Sequence, residues 1–221
     1  MPTISHIVNK FVEKRPILQH ALSMNIVNFA NLAERYKEEI EKELGKDVKH
    51  SAVIMAFRRY AEKMQEKEAK VPEFDYNSDI TMKTNLVDIC VVKSTTFFSK
   101  LKNIYEIINY EKGDALNIIH GNNETVIITN EKHKDNILKI LEEEKISNIE
   151  NDVVSLALKF NPEFLHTPGV ISNVVRRFAW ENINIMELIT TTTEMTFILD
   201  KNDVMRAYNL LQELVDKGKP T

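Results

Sequence analysis

The chain has 221 residues, of which 43% are apolar and 28% are charged, and its formal net charge is −4. This composition is typical of a soluble globular protein, and the low counts of five glycines and six prolines argue against long disordered tails. Its one cysteine, Cys90, lies in an apolar run and is predicted to be a small buried core residue. A single cysteine forms no internal disulfide, and no apolar run reaches the roughly 18 residues that span a membrane. We therefore expect a cytoplasmic protein without a membrane partner.

Charge is distributed unevenly along the chain. Residues 1–70 carry 13 Lys and Arg against 10 Asp and Glu, a net charge of +3, which leaves −7 for the remainder. This difference indicates that the two halves meet different partners. The segment from Lys70 to Met82 has a proline and few periodic apolar residues, as expected of a linker. The predicted domain bounds are 1–70 for a helical domain, 71–84 for the linker, and 85–150 and 151–221 for two further domains.

The first domain is predicted to be helical throughout, because apolar residues recur at spacings of three and four in four separate stretches. Asn28 is placed to cap the third helix, and Gly45 is placed to end it. The four apolar stripes are Ile4, Ile7, Val8 and Phe11; Ile17, Leu18, Ala21 and Leu22; Phe29, Leu32, Ala33, Tyr36, Ile40 and Leu44; and Val48, Ala52, Val53, Ala56, Phe57 and Tyr60.

The second domain shows strand and helix patterns in the order βαββαβ, which is the order of a ferredoxin-like fold. A hairpin turn is predicted at Gly121-Asn122-Asn123. The predicted strands are 86–92, 115–120, 125–129 and 146–149, and the predicted helices are 96–108 and 132–143.

The third domain repeats this order without its last strand. The predicted strands are 153–160, 183–190 and 195–200, and the predicted helices are 169–180 and 202–215. An open sheet edge invites pairing with another chain. We therefore expect this edge to pair with the other copy or with a second chain, and we expect a homodimer.

The turn before helix 169–180 is a candidate ligand site. Thr167 is predicted to cap the helix, Pro168 suits its first turn, and Gly169 allows a ligand to approach the backbone. Free N–H groups at the start of a helix carry partial positive charge, which favours a carboxylate nearby. The alternative is that Thr-Pro-Gly does no more than start a helix.

Three segments carry a family resemblance: Thr167-Pro168-Gly169-Val170, Glu181-Asn182-Ile183-Asn184-Ile185, and the strand Thr190–Leu199. Together they resemble an ACT domain, of the type found in the regulatory tail of aspartokinases. The resemblance implies a ferredoxin-like fold and an amino-acid effector bound between the first helix and the second strand. The ligand-binding residues that it implies are Leu165, His166, Thr167, Pro168, Gly169, Val170, Asn182, Ile183 and Asn184.

The chain departs from the ACT pattern in three places. His166 stands where ACT domains commonly carry an acidic or small residue, and Thr190–Thr193 contains no Gln-Thr-Ser. The first copy has Ser94-Thr95-Thr96 in place of the Pro-Gly turn. We therefore interpret the first copy as a degenerate, mainly structural ACT domain.

The third and fourth helices of the first domain are similar to a helix-turn-helix and to an N-terminal segment of archaeal ACT proteins. This similarity implies DNA contact through the fourth helix. The residues that it places there are Lys49, His50, Ser51, Arg58 and Arg59. A net charge of +3 is modest, and the third helix carries glutamates that would repel phosphate. The alternative is a helical bundle that dimerises or packs on the other half.

Catalytic patterns are absent from the sequence. The six histidines are scattered without metal-ligand spacing, and the five glycines form no phosphate-binding loop. We therefore expect no enzyme activity, no metal and no cofactor. The predicted fold class is α+β, with an all-α, helix-turn-helix-like domain followed by tandem ferredoxin-like ACT domains. The functional hypotheses are an amino-acid sensor that controls transcription, a regulatory subunit that docks on an enzyme such as an aspartokinase, and a dimerisation module without ligand.

Overall fold

The chain divides into two compact units at residue 70. Unit 1 spans Met1–Lys70 and unit 2 spans Val71–Thr221. The computed structural model describes residues 3–67 and 78–216. The first half of the predicted linker, residues 71–77, lies outside the described residues. No helix within the described ranges is long and apolar enough to cross a membrane.

The described part of unit 1 contains four α-helices, as predicted. They are α1 (Ile4–Glu13), α2 (Pro16–Ser23), α3 (Phe29–Leu44) and α4 (His50–Lys67). The predicted caps of α3 are confirmed. The Asn28 side chain accepts hydrogen bonds from the N–H groups of Ala30 and Asn31, and Gly45 ends the helix at φ 69°. This left-handed conformation favours glycine.

Unit 1 folds around the apolar face of α4, which carries Val53, Phe57 and Ala61 and packs on buried residues of the other three helices. Three of the five glutamates of α3, Glu39, Glu41 and Glu43, form ion pairs with neighbouring cations. Glu43 pairs with Lys10 at 2.7 Å, and Glu39 pairs with Arg15 at 2.8 Å. These acidic side chains are therefore neutralised within the unit.

Unit 2 contains one six-stranded antiparallel sheet in the order β2-β3-β1-β4-β6-β5. Short 3₁₀ helices lie at Tyr110–Lys112, Glu131–His133 and Pro162–His166. The main elements are β1 (Ile80–Val92), α5 (Phe97–Glu106), β2 (Leu116–His120), β3 (Glu124–Asn130), α6 (Lys134–Ile140), β4 (Ile146–Lys159), α7 (Val170–Trp180), β5 (Glu187–Thr190), β6 (Glu194–Asp200) and α8 (Val204–Asp216).

The sheet differs from the prediction at its centre. β1 begins at Ile80, so residues 80–84 of the predicted linker are strand. The Ile80–Lys83 segment pairs with Ser155–Leu158 of β4, and it supplies the strand that the predicted second copy lacked. Ile80 and Met82 pack against the core beneath α7 and α8. In this segment apolar and polar side chains alternate over only a few residues. Because a proline and several acidic residues lie close by, the sequence pattern predicted a linker there and not a strand.

The predicted strand 183–190 is also shorter in the structure. β5 begins at Glu187, because Asn182 adopts φ 54° and Ile183 returns its N–H to the Phe178 carbonyl at 2.9 Å. The Asn-Ile-Asn-Ile segment is therefore a connection that closes the C-terminal end of α7. Ile183 is buried in the core, whereas its two asparagine neighbours are exposed.

The two long central strands bend at the same level. Asn85 of β1 has φ 57° and Asp152 of β4 has φ 53°, and the next residues, Leu86 and Val153, face each other in the ladder. One face of the sheet is covered by helices, with separate apolar clusters beneath α5 and α6 and beneath α7 and α8. The opposite face, here called the helix-free face, carries a third cluster whose described members come from strands and the residues that flank them.

Cys90 lies on the helix-free face of β1 and is half-buried. Its Sγ lies 3.3 Å from Glu124 Oε2. The prediction of a buried core cysteine was wrong, because alternation along the strand turns Cys90 away from the cluster beneath α5 and towards a polar cavity.

Candidate ligand-binding site

The segment that leads into α7 begins with the 3₁₀ helix Pro162–His166. Thr167 follows in an extended conformation, and its hydroxyl donates to the Glu163 carbonyl at 3.1 Å. Thr167 therefore does not cap α7, contrary to the prediction. The capping position belongs to Gly169, at φ 94°, whose carbonyl accepts from the Asn173 N–H at 2.8 Å. Pro168 precedes the cap and lies outside the first helical turn.

A glycine cap leaves the start of α7 with unused donors. The Gly169 conformation suits glycine, and glycine has no side chain that could accept a hydrogen bond. Among the described residues, no acceptor pairs with the N–H groups of Val170, Ile171 and Ser172. These three groups form a patch of partial positive charge at the N-terminal end of an 11-residue helix.

A cavity of about 600 Å³ lies against this helix end. We call it the α7 cavity. Its apolar walls come from the segment before α7, from α7 itself and from the β5–β6 hairpin, and its hydroxyl groups come from the same elements. No lining residue carries a charged side chain. The lining residues are Phe160, Phe164, Thr167, Gly169, Val170, Ile171, Ser172, Val175, Leu188, Thr190, Thr191 and Met195.

Three of the residues predicted to bind a ligand line the α7 cavity: Thr167, Gly169 and Val170. His166 and Pro168 are exposed and do not line it, and the side chain of Leu165 lies outside the described set.

Asn182, Ile183 and Asn184 lie beyond the far end of α7. Eleven residues at 1.5 Å per residue place them about 16 Å along the helix axis from its start. Within unit 2 the structure therefore does not bring the two predicted halves of the site together. Asn184 instead lines a second cavity, on the helix-free face.

Ile171 and Val175 also line the α7 cavity and are functional candidates that were not predicted from the sequence. Val170, Val174 and Phe178 are buried beneath α7, whereas Ile171 is 47% exposed and faces the α7 cavity. The signal was available in the sequence, since the apolar stripe of α7 is wider than one buried face needs. The contributions of Phe160, Leu188 and Met195 depend on strand pairing and had no comparable local signal.

The residues predicted to contact DNA lie on one helix of unit 1. Lys49, His50 and Ser51 are exposed at the start of α4, and Arg58 and Arg59 are exposed two turns later. We call this set the α4 basic surface. The Arg58 guanidinium lies 5.8 Å from the centre of the Phe29 ring. Among the described side chains of unit 1, no carboxylate forms an ion pair with Lys49, Arg58 or Arg59.

The described residues include no group of three or more His, Cys, Asp or Glu side chains that could hold a metal ion. The six histidines are distributed over both units, and the two that make side-chain hydrogen bonds contact local partners. His133 bonds to Asp114 at 2.8 Å, and His120 bonds to Thr125 at 3.1 Å.

No protein-family model matches the chain, and no curated protein sequence matches it. Several solved structures resemble it. The regulatory subunit of aspartate kinase from Thermus flavus aligns with a TM-score of 0.51 at 13% identity, over 65% of this chain and 99% of that chain. Aspartate kinase from Clostridium acetobutylicum aligns with a TM-score of 0.54 at 15% identity, over 67% of this chain and 37% of that chain.

Aspartate kinase from Synechocystis aligns with a TM-score of 0.51 at 12% identity, over 78% of this chain and 32% of that chain. The chain therefore spans about a third of the length of the two whole kinases. At these identities the likeness is one of fold. It supports the ACT-type resemblance.

Proposed function

We propose that this protein is a non-catalytic regulatory protein whose ACT-type unit binds an amino acid in the α7 cavity. The observation that carries the proposal is the meeting of unpaired N–H groups and apolar walls in one cavity. Its volume of about 600 Å³ lies in the ordinary range for small-molecule sites. Similarity in fold to regulatory parts of aspartate kinases supports the regulatory role.

The chemistry of the α7 cavity suits a carboxylate at one end and an apolar group at the other. A carboxylate would accept from the N–H groups of Val170, Ile171 and Ser172, where the helix dipole also favours negative charge. The hydroxyls of Thr167, Thr190 and Thr191 would accept from an ammonium group. Because the cavity has no charged lining residue, the side chain of the amino acid would be uncharged and largely apolar.

The strand order supports a tandem ferredoxin-like arrangement for unit 2. The order β2-β3-β1-β4 describes one half of the sheet, and β5-β6-β4-β1 describes the other. Both follow the same 2-3-1-4 pattern of a βαββαβ unit. The two central strands serve both halves. The outer strands, β2 and β5, have unpaired edges among the described residues, and these edges suit a homodimer.

Replacing Thr191 with tryptophan is expected to abolish binding of the amino acid by filling the α7 cavity. In the unmodified protein, an amino acid at 100 times its Kd should raise Tm by about 5–10 °C, since it binds the folded state alone. The measurement is a thermal-shift screen against the twenty amino acids. The variant should lose the shift, because Thr191 is exposed and lines the cavity.

Thr192→Trp is the matched control for this experiment. Thr192 is the next residue in the same turn, is exposed, and does not line the cavity. It should keep the full thermal shift. A screen in which no amino acid raises Tm, or in which both variants respond equally, would refute the proposed site and leave a dimerisation module as the alternative.

A second candidate function is control of transcription through the α4 basic surface. The observation that favours it is charge: three of the five glutamates of α3 are paired inside unit 1, whereas Lys49, Arg58 and Arg59 have no carboxylate partner among the described residues. A helix-turn-helix would present this surface to phosphates. The alternative output is docking on a biosynthetic enzyme such as an aspartokinase.

The double variant Arg58→Ala, Arg59→Ala is expected to weaken DNA binding and to flatten its salt dependence. For every phosphate that the variant no longer neutralises, the slope of log K against log salt should fall by about 0.9. The measurement is fluorescence anisotropy with duplex DNA across a salt series, and Arg35→Ala, an exposed arginine of α3, is the control. Absence of DNA binding, together with co-purification of an enzyme, would favour the docking alternative.

A further inference from the structure

A second cavity, of about 470 Å³, opens on the helix-free face of unit 2. We call it the acidic cavity. Most of its polar side chains carry a negative charge or have an oxygen that accepts hydrogen bonds. Its lining residues include no lysine, arginine or histidine. These residues are Asp88, Cys90, Glu124, Ser147, Asn148, Glu150, Asn184, Met186 and Glu187.

Four carboxylates from four different strands line the acidic cavity. Asp88 of β1 and Glu150 of β4 face each other in the ladder and share one face of the sheet. Glu187 lies on β5, three strands away from β1. In a flat sheet, three strand spacings would separate Asp88 and Glu187 by about 14 Å. Both nevertheless line one cavity, so the sheet is not flat at this level, where positive φ angles at Asn85 and Asp152 and shifts of register interrupt the β1–β4 ladder.

Asp88 is the unusual member of this set. It is 7% exposed, and among the described residues its carboxylate has neither a hydrogen-bond donor nor a cation as partner. Burial, with the negative charges of Glu187 and Glu150, raises the pKa of Asp88 to about 6. Burial also raises the pKa of Glu187.

The other enclosed carboxylates of unit 2 are fully partnered. Asp114 contacts Lys132, accepts from the Asn109 N–H at 3.0 Å and lies 2.8 Å from His133 Nε2. These hydrogen bonds, led by the one from Lys132, hold the pKa of Asp114 well below its usual range.

Hydrogen bonds also lower the pKa of the Glu144 carboxyl group. It accepts from the hydroxyls of Ser94 and Thr96, and it pairs with Lys100 at 3.2 Å. The fold therefore gives these two carboxylates partners of its own. Among the described residues, no fully enclosed side-chain oxygen or nitrogen lacks a hydrogen-bond partner, so the oxygens of Asp88 open into the cavity. A cation that entered the cavity would therefore meet a carboxylate that has no partner within the fold.

We propose that the acidic cavity binds a small organic cation that carries ammonium groups, such as a diamine. Asp88 and Glu150 would hold one ammonium group, and Glu187 and the Asn184 side-chain carbonyl would hold a second. Two observations favour an organic cation over a metal ion. The described carboxylates form no metal-binding group of three, and the cavity has room for a chain of several atoms.

This site is separate from the proposed amino-acid site. The α7 cavity lies on the helix-covered face, beside the apolar core that contains Met195 and Leu188. The acidic cavity lies on the opposite face, beside the cluster that contains Met186. The two proposals can therefore fail independently, and Thr191→Trp should leave cation binding unchanged.

The test is calorimetric titration of the full chain with putrescine (1,4-diaminobutane) at pH 8 and constant ionic strength. The unmodified protein should bind putrescine, and Asp88→Asn should bind it at least tenfold more weakly. Asp135→Asn is the matched control, since it removes one charge from an exposed position of α6 outside the cavity. Glu187→Gln is a second cavity variant and is expected to weaken binding several-fold. It tests the same site if Asp88→Asn does not fold.

Two further arms complete the experiment. Binding of putrescine should weaken as pH falls through about 6, because Asp88 becomes protonated there. The other titratable groups that line the cavity are Glu124, Glu150, Glu187 and the Cys90 thiol. Magnesium chloride should not displace putrescine at equal ionic strength. The proposal is overturned if putrescine does not bind, if the cavity variants bind it as tightly as the control, or if magnesium binds more tightly with the same dependence on Asp88.

Discussion

Replacing Phe178 with alanine is expected to lower the free energy of unfolding of unit 2 by about 3–5 kcal/mol, the usual cost of deleting a large buried aromatic side chain. Phe178 is fully buried on α7, and its ring lies 4.9 Å from the ring of Phe197 on β6 at an angle of 60°. The contact joins the helix that borders the α7 cavity to the sheet. Urea unfolding followed by circular dichroism measures the loss.

Trp180→Ala is the control for this prediction. Trp180 is 74% exposed within this chain and lies two residues from Phe178 on the same helix. Its removal should change the free energy of unfolding by less than about 0.5 kcal/mol. Equal losses in the two variants would show that α7 does not pack on β6 through Phe178.

Long periodic stretches of the sequence predicted their elements well. The four apolar stripes of unit 1 became α1 to α4, because each has a wide apolar face. Helix α3 also has two local cap signals of known geometry, the Asn28 side chain and Gly45. Residue spacing alone also identified α7, and its Gly169 boundary was wrong by one residue. Thr167 was misassigned because a threonine hydroxyl can donate as well as accept, and the preceding 3₁₀ turn offers it an acceptor.

The candidate sites were less predictable, since they depend on which strands become neighbours. Nothing local to Asp88 reveals that Glu187 will face it, because about 100 residues and two further strands separate them. One signal was present: Asp88 interrupts the apolar run Leu86–Val92 at a position whose neighbours are buried. A charge inside such a strand indicates either a partner elsewhere in the fold or a site.

The free energy of unfolding should depend on pH in a way that reflects the raised pKa of Asp88. Its pKa is raised from 3.8 to about 6 in the folded state, so the folded protein binds this proton more tightly than the unfolded chain does. The protonated form is stabilised at low pH. That contribution falls away as pH rises from about 4 through 6, and above this range the folded state carries an uncompensated charge. The cost at pH 8 is up to about 3 kcal/mol, from roughly two pKa units at 1.4 kcal/mol each.

Asp88→Asn is therefore expected to be more stable than the unmodified protein at pH 8 and to lose that advantage by pH 4. The comparison between the two proteins isolates Asp88, because groups such as Asp114 and Glu144, whose pKa values are lowered, titrate in both. Chemical unfolding at pH 4, 6 and 8 without added amines measures the difference. If Asp88→Asn were less stable at pH 8, the carboxylate would have a stabilising partner within the fold and would need no external cation. If the variant is more stable at pH 8 yet also fails to bind putrescine, the fold sacrifices stability at Asp88 to keep a cation site.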